Sequence, residues 1–227
     1  MNKLQILQYN VQKGKNKVMT PLLTDTRVHS YDIIAIQKPW TNPFTPTTYC
    51  LSCSPFTLTY DNCKRRSCFL INKEINSEQW DVKFPSSDLC VLNLRLRALD
   101  MWIYNIYSQS SRNLFNTDYT SPIFLLPALV RRKREHIILG DFNLHHPWWS
   151  GPSNPTIHAA AESLVECLTL YKISLVSPAG VPTWAAQGFS STIDLTFISQ
   201  GLVGRVIECR VSKELDHRSD HLPISSL

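Results

Sequence analysis

An α/β sandwich is the architecture this chain predicts: two mixed β-sheets packed face to face, with helices on the outer faces. Three observations lead there. Strand and helix patterns alternate in a mixed order that suits two sheets better than one doubly wound parallel sheet. Asp88–Arg97 alternates strictly, with Leu92, Leu94 and Leu96 on one face and Asn93, Arg95 and Arg97 on the other. That is the pattern of an antiparallel strand with one wet face. Other strands are short continuous apolar runs such as His136-Ile137-Ile138-Leu139, as expected where a sheet is covered on both sides.

Taken in order, Leu4–Asn10 alternates and predicts a strand. Val18–His29 carries Val18, Met19, Leu22, Leu23 and Val28 in a rough helical stripe, with Pro21 tolerable in its first turn. Asp32–Gln37 is a short buried strand that ends before Pro39, and the Pro-, Thr- and Asn-rich stretch from Pro39 to Pro55 is a loop region. Strands follow at Ser67–Asn72, Asp88–Arg97 and Met101–Tyr107. Ser121–Arg134 predicts a helix with a serine cap and a basic last turn, which the helix dipole favours. After the strand His136–Leu139 comes an Ala/Leu-rich helix, His158–Tyr171. Strand signals return at Thr192–Ser199, Arg205–Val211 and His221–Ile224. No repeat, low-complexity tract or linker divides residues 1–227, so a single domain is the economical expectation.

The 227 residues are 43% hydrophobic and 18% charged, which is globular and not disordered. A net charge of +5 suits a polyanionic partner without identifying one. The longest apolar run, Ile123 to Val130, is broken by Pro127 and falls well short of the ~20 residues of a membrane span. The N-terminus goes straight into a strand pattern and carries no signal-peptide block. Seven cysteines is an odd count, and Cys90, Cys167 and Cys209 fall inside strand or helix patterns, as reduced buried thiols do. Cys50, Cys53, Cys63 and Cys68 invite a zinc reading. The last pair is wide for a zinc knuckle, however, and Cys68 opens an apolar strand, so packing or loop thiols are the simpler expectation.

Short motifs that end strands carry the chemistry: Gln8-Tyr9-Asn10, Gln37-Lys38-Pro39, Gly140-Asp141-Phe142-Asn143, Ser191-Thr192-Ile193-Asp194 and Ser219-Asp220-His221. Each alone has a dull explanation as a turn or a cap. Together they bring carboxylates, amides and an imidazole towards one rim of a sandwich. Phosphodiester hydrolysis calls for such groups: oxygen ligands for a hard cation, a base for water, and donors for phosphate oxygens.

The set resembles the endonuclease/exonuclease/phosphatase superfamily over nearly the whole chain, Leu4 to Ile224. It is most similar to the endonuclease domains of LINE-type, non-long-terminal-repeat retrotransposons. The extended motif Gly140-Asp141-Phe142-Asn143-Leu144-His145-His146-Pro147-Trp148-Trp149 and the pair Pro182-Thr183-Trp184 and Ser191-Thr192-Ile193-Asp194-Leu195 carry that closer likeness. The resemblance implies a magnesium-dependent endonuclease, with manganese as an alternative ion, that nicks double-stranded DNA and leaves a 3′-hydroxyl to prime reverse transcription.

It also implies roles. Asp141 positions or deprotonates the attacking water, and Asn143 contacts the phosphate. Tyr107 donates its hydroxyl to the phosphate or leaving group. His221 hydrogen-bonds a phosphate oxygen, with Asp194 fixing its tautomer. Asn10 and Asp220 lie at the metal, and Ser191 and Thr183 meet the DNA. One position departs from the pattern. Where the family carries the glutamate that is its principal metal ligand, this chain has Lys38.

A reverse transcriptase is expected downstream and is absent from these residues; nuclear residence follows only from the substrate. Two rivals remain at this point: a DNA-binding relic that no longer holds metal, and a phosphatase of the same superfamily, against which the His-His-Pro-Trp-Trp motif argues. Bland roles are expected elsewhere. His145 and His146 pack a loop, Trp148 and Trp149 pin it to the core, and Arg131-Arg132-Lys133-Arg134 and Lys64-Arg65-Arg66 are solvated basic segments.

Overall fold

A computed structural model describes residues 3–61, 63–97, 99–109, 121–131, 134–151 and 156–227. The first strand, β1 (Ile6–Asn10), is buried at every residue, because the sheet it joins is covered on both faces. Where a single helix was expected over Val18–His29, the chain forms a π-type turn (Lys15–Met19), the short α1 (Thr20–Thr24) and a 3-10 turn (Thr26–Ser30). The physical reason lies at Asp25. Its backbone is extended and its carboxylate accepts from Arg27 N, a local bond that competes with helix propagation. Next come β2 (Ile33–Gln37), β3 (Phe56–Thr59) and β4 (Ser67–Asn72).

The second sheet opens with β5 (Trp80–Ser86), β6 (Leu89–Leu96) and β7 (Leu99–Tyr107). Helix α2 (Pro122–Val130) is shorter than predicted, and Ser121 makes no side-chain cap bond. Arg131 lies past its last turn, and Arg132 and Lys133 fall outside the described residues. Then follow β8 (Glu135–Asp141), the single turn α3 (Pro147–Ser150), α4 (Ala159–Leu170), β9 (Ile173–Leu175), β10 (Trp184–Ala186), β11 (Phe189–Ser191), β12 (Asp194–Ser199), β13 (Cys209–Val211) and β14 (Ile224–Ser226).

Two six-stranded sheets result, ordered β13-β14-β1-β2-β4-β3 and β5-β6-β7-β8-β12-β9, with β10–β11 as a separate hairpin. Both are mixed: β1–β2 and β7–β8 run parallel and the other pairs antiparallel. Between them lies an apolar layer in which Ile33, Ala35, Phe69 and Ile71 meet Cys90, Leu92, Leu94, Met101, Ile103 and Leu139. On the outer faces, the 15–30 segment covers the first sheet through Val18, Met19, Leu22 and Leu23. Helices α2 and α4 cover the second through Ile123, Leu126, Leu164 and Leu168. The wet face predicted for β6 is confined to its second half, at Asn93 and Arg95; the first half is buried on both sides.

Topology places the rim. The two parallel pairs end in register, Asn10 opposite Gln37 and Tyr107 opposite Asp141, and antiparallel β12 starts with Asp194 opposite Asp141. Just beneath, buried amides tie the sheets together. Gln8 Nε2 donates to Gly140 O at 2.9 Å and Gln37 Nε2 to Asn105 Oδ1 at 2.6 Å, while Asn105 Nδ2 donates to Ile36 O and Cys68 O. Buried amides without partners would each cost about 1–3 kcal/mol. Bonded across the sandwich, with Gln37 Oε1 alone of their oxygens left without a partner among the described residues, they fix the distance between the strand ends that carry the site.

Candidate active site

Gly140 brings Asp141 to the rim. Its φ is +142°, a conformation L side chains rarely adopt, and a Cβ there would collide with the Ile106 carbonyl on the paired strand. Beyond it Asp141 is buried at 1% exposure and gathers a ring of donors. Asn10 Nδ2 donates to its Oδ2 at 2.7 Å and Asn143 Nδ2 to the same oxygen at 2.9 Å. Asn143 N donates to its Oδ1 at 3.1 Å. Asn143 itself is held by a left-handed backbone (φ +48°) and by donation to Ser108 O.

His221 faces this group from the C-terminal segment, bridged to Trp184 and not inside the strand predicted for it, which starts later at Ile224. Its Nδ1 lies 2.8 Å from Asp194 Oδ2, and its Nε2 lies 3.2 Å from Asn10 Nδ2. The Asn10 amide is oriented by Gln12 N, which donates to Asn10 Oδ1 at 3.0 Å, so the NH₂ group is turned towards Asp141 and His221. When the ring is neutral, this geometry suits an Nδ1–H tautomer with the Nε2 lone pair accepting from Asn10. Asp141 and Asp220 oxygens each lie 3.8 Å from Nε2 and pull the other way.

Electrostatics follow from this burial. Desolvation, then the charge of Asp194, push the Asp141 carboxyl up to about 7, while His221 and the Asn10 bond hold it from rising further. For His221, burial works against the charge, but Asp194, Asp141 and Asp220 together carry the ring up to about 9. The two groups share one cluster and titrate as a set. Tyr107, 7% exposed, is pushed up to about 12, first by burial and then by Asp141, so its hydroxyl stays a donor at neutral pH.

Of the residues singled out in the sequence, Asn10, Asp141, Asn143, Asp194, Asp220 and His221 are joined at one rim by direct bonds or close approaches, and Tyr107 adjoins them opposite Asp141. Thr183 requires correction as a DNA contact. It is 1% exposed, and its hydroxyl accepts from Ile193 N at 3.1 Å and Asp194 N at 3.0 Å. A side chain so enclosed does not reach a phosphate; it sets the Asp194 backbone. Ser191, half-buried, lies on the hairpin whose tip presents Phe189 at 73% exposure.

His146 accepts from Trp148 N and stacks on Trp149, while His145 packs edge-on against His158. Trp149 is fully buried and donates to Leu144 O, which pins the loop beside Asp141. Arg65 pairs with Asp61 and Arg66 with Asp88, so two of the three cations of that hairpin loop are spent within the protein. Sequence reasoning missed Gln12, Tyr9 and Trp184 as site residues. Gln12 and Trp184 donate to Asp220 Oδ2 at 2.6 and 3.1 Å, and the Tyr9 hydroxyl accepts from His217 N and Ser219 N. The aromatic residue just before Asn10 was visible; nothing in the sequence pointed to Gln12.

The donor set decides whether a divalent ion fits. Asp141, Asp194 and His221 offer ligand atoms within 4.8 Å of one another. Their inner atoms are committed, however: His221 Nδ1 to Asp194, and Asp141 Oδ2 to two amide donors. At the ends of β1 and β2, Asn10 Oδ1 already accepts from Gln12 N, and Lys38, which follows β2, carries its ammonium 5.3 Å from the centre of the Tyr107 ring. Magnesium requires near-octahedral oxygen ligands, and an ammonium close to them opposes its binding. Asp194 Oδ1, buried and without a hydrogen-bond partner among the described residues, remains open to a cation, so Asp141, Asp194 and His221 form a candidate metal-binding cluster.

The two-sheet sandwich is that of the endonuclease/exonuclease/phosphatase superfamily, which includes phosphodiester hydrolases. The model of the endonuclease-reverse transcriptase family matches residues 101–225, more than half of the chain, and the chain belongs to that family. The fold is similar to that of the endonuclease domain of TRAS1, a telomere-specific non-LTR retrotransposon. The TM-score is 0.75 at 19% identity, covering 99% of this chain and 97% of that one. It is also similar to the AP endonuclease LMAP from Leishmania major (TM-score 0.76, 13% identity, 98% and 86% covered). The AP endonuclease from Archaeoglobus fulgidus follows (0.65, 16%, 99% of each). No curated protein sequence matches. Among the described residues, no helix is long and apolar enough to cross a membrane.

Proposed function

We propose that the chain binds double-stranded DNA across this rim as the endonuclease segment of a retrotransposon, with the hydrolytic groups in place and the metal seat disabled by Lys38. The observation that carries the reading is the buried relay Asp194–His221–Asn10–Asp141, with contacts of 2.8, 3.2 and 2.7 Å at the strand ends. In the phosphodiester reaction, Asp141, raised towards neutrality by burial, is suited to take a proton from water. Asp194 holds the His221 ring in place, and the ring meets a phosphate oxygen. Tyr107 supplies a further donor to phosphate or leaving group, and Asn143 would supply another on exchanging one of its amide bonds, to Ser108 O or Asp141 Oδ2, for a phosphate oxygen. Hydrolysis of the P–O3′ ester bond in water would require no covalent intermediate and would leave a 5′-phosphate and a 3′-hydroxyl on duplex DNA, the end that a reverse transcriptase elsewhere in such an element extends. Nuclear residence would follow from that substrate.

A DNA-binding relic is the second reading, and Lys38 is the observation that favours it. Both readings predict binding to duplex DNA at low salt in the presence of chelator, with affinity falling steeply as salt is raised, because phosphate contacts release counterions. A fluorescence-anisotropy titration of a labelled duplex tests this. Competition by unlabelled duplex and not by inositol phosphates supports it; undetectable binding at low salt overturns both readings.

A further inference from the structure

We infer that Lys38 has turned the seat between the ends of β1 and β2 into a phosphate site, one that holds a backbone phosphate of duplex DNA with no divalent ion present. The inference rests on the DNA-binding reading above and goes beyond it by naming the ligand chemistry of one residue and its independence of metal.

The Lys38 backbone is pinned on both sides. Its N donates to Arg66 O at 2.7 Å, its O accepts from Lys13 N at 2.7 Å, and its φ is +49°. The side chain therefore starts from a fixed point at the rim, directly after Gln37, which lies opposite Asn10. Its ammonium sits 5.3 Å from the centre of the Tyr107 ring, over a face that attracts cations.

Lys38 makes no ion pair among the described residues. The rim carboxylates lie within other hydrogen bonds and none pairs with Lys38: Asp194 Oδ2 faces His221, Asp141 accepts from the neutral amides of Asn10 and Asn143, and Asp220 from Gln12 and Trp184. Arg66, the other cation over Tyr107, is spent on Asp88. What remains is a half-buried lysine whose ammonium makes no ion pair among the described residues and lies beside the Tyr107 ring. Lysine binds phosphate as a point charge and needs no metal to do so. A carboxylate at the same place would repel phosphate unless a cation stood between them.

The test uses the chain as given, a labelled duplex, and chelator throughout. Lys38→Met keeps the apolar stem and removes the charge, and Lys38→Gln does so with a polar end. Matching thermal melts for the variants and the parent exclude loss of folding as the cause. Loss of one phosphate contact is expected to weaken binding about tenfold at low salt and to reduce the slope of log K against log salt by about 0.9. Adding magnesium is expected to leave the parent's affinity unchanged or lower it. If either folded variant binds as tightly as the parent with the same slope, or magnesium tightens the parent's binding, the phosphate seat is wrong. A parent that binds DNA independently of Lys38 sinks this inference alone; one that does not bind at all sinks the DNA reading with it.

Discussion

Replacing Asp194 by asparagine removes the charge that faces His221 Nδ1 at 2.8 Å while keeping the size of the side chain. The two side chains are 2% and 4% exposed, so water screens the pair little. Two unit charges at ~4 Å in an effective dielectric of ~20 interact by about 4 kcal/mol, an upper figure for the net effect. That corresponds to about three pKa units, at about 1.4 kcal/mol each. Asp141 and Asp220, each 3.8 Å from Nε2, continue to favour the proton, so the actual fall is smaller. His221, raised to about 9 in the parent, is expected in Asp194→Asn to titrate lower, moving towards the ordinary histidine value of ~6.5. Burial then opposes the charge with less against it.

The assay is an NMR titration of the ring Cε1 proton, paired with urea unfolding across the same pH range. A folded pKa raised above the unfolded one gives stability that is full below pH ~6.5 and is lost as the pH rises through about 9. Asp141, raised to about 7, adds a loss of the same sign at lower pH. The parent's stability should therefore fall towards pH 9, and the upper part of that fall should flatten in the variant. An unchanged His221 titration in Asp194→Asn would refute the relay.

Thr183→Val removes the acceptor of two buried backbone N–H groups, at Ile193 and Asp194, and is expected to cost about 1–3 kcal/mol in urea unfolding. No measurable loss would mean that the hydroxyl does not hold the Asp194 backbone. Gly140→Ala forces a Cβ into the Ile106 carbonyl at a φ of +142° and is expected to yield insoluble or strongly destabilised protein. A Gly140→Ala protein that melts with the parent would contradict the close approach of β7 and β8.

Much of this was legible in the residues, for reasons that can be named. Strands with both faces covered, such as Ile33–Gln37 and Ser67–Asn72, announce themselves as apolar runs, and the motifs that end them fall at one rim because both parallel pairs end in register. The edge strand β5 was not legible: Trp80–Ser86 mixes Lys83 and Pro85 into its run, as edges do. Val18–His29 looked like one helix because its apolar spacing is right; the Asp25 side chain, which periodicity does not register, broke it. Thr183 was placed on the DNA through its motif, yet its burial depends on the fold of β10–β12. Gln12 escaped because its role comes from two successive left-handed residues, Gln12 and Lys13, that turn the chain back onto Asn10.

Nicking of supercoiled plasmid in magnesium, by the parent and by Lys38→Glu side by side, tests the central claim most directly. A unit charge ~4 Å from a divalent ion, in an effective dielectric of ~20, is worth about 8 kcal/mol at most, favourable for glutamate and unfavourable for lysine. Millimolar binding amounts to only about 4 kcal/mol, so the sign of this one charge is enough to fill or empty the seat. The parent is expected to nick very slowly. Lys38→Glu is expected to nick readily in magnesium, and to lose that activity again with Asp141→Ala or His221→Ala added. A parent that nicks as fast as its Lys38→Glu variant would contradict the assignment of Lys38 to the metal-ligand position.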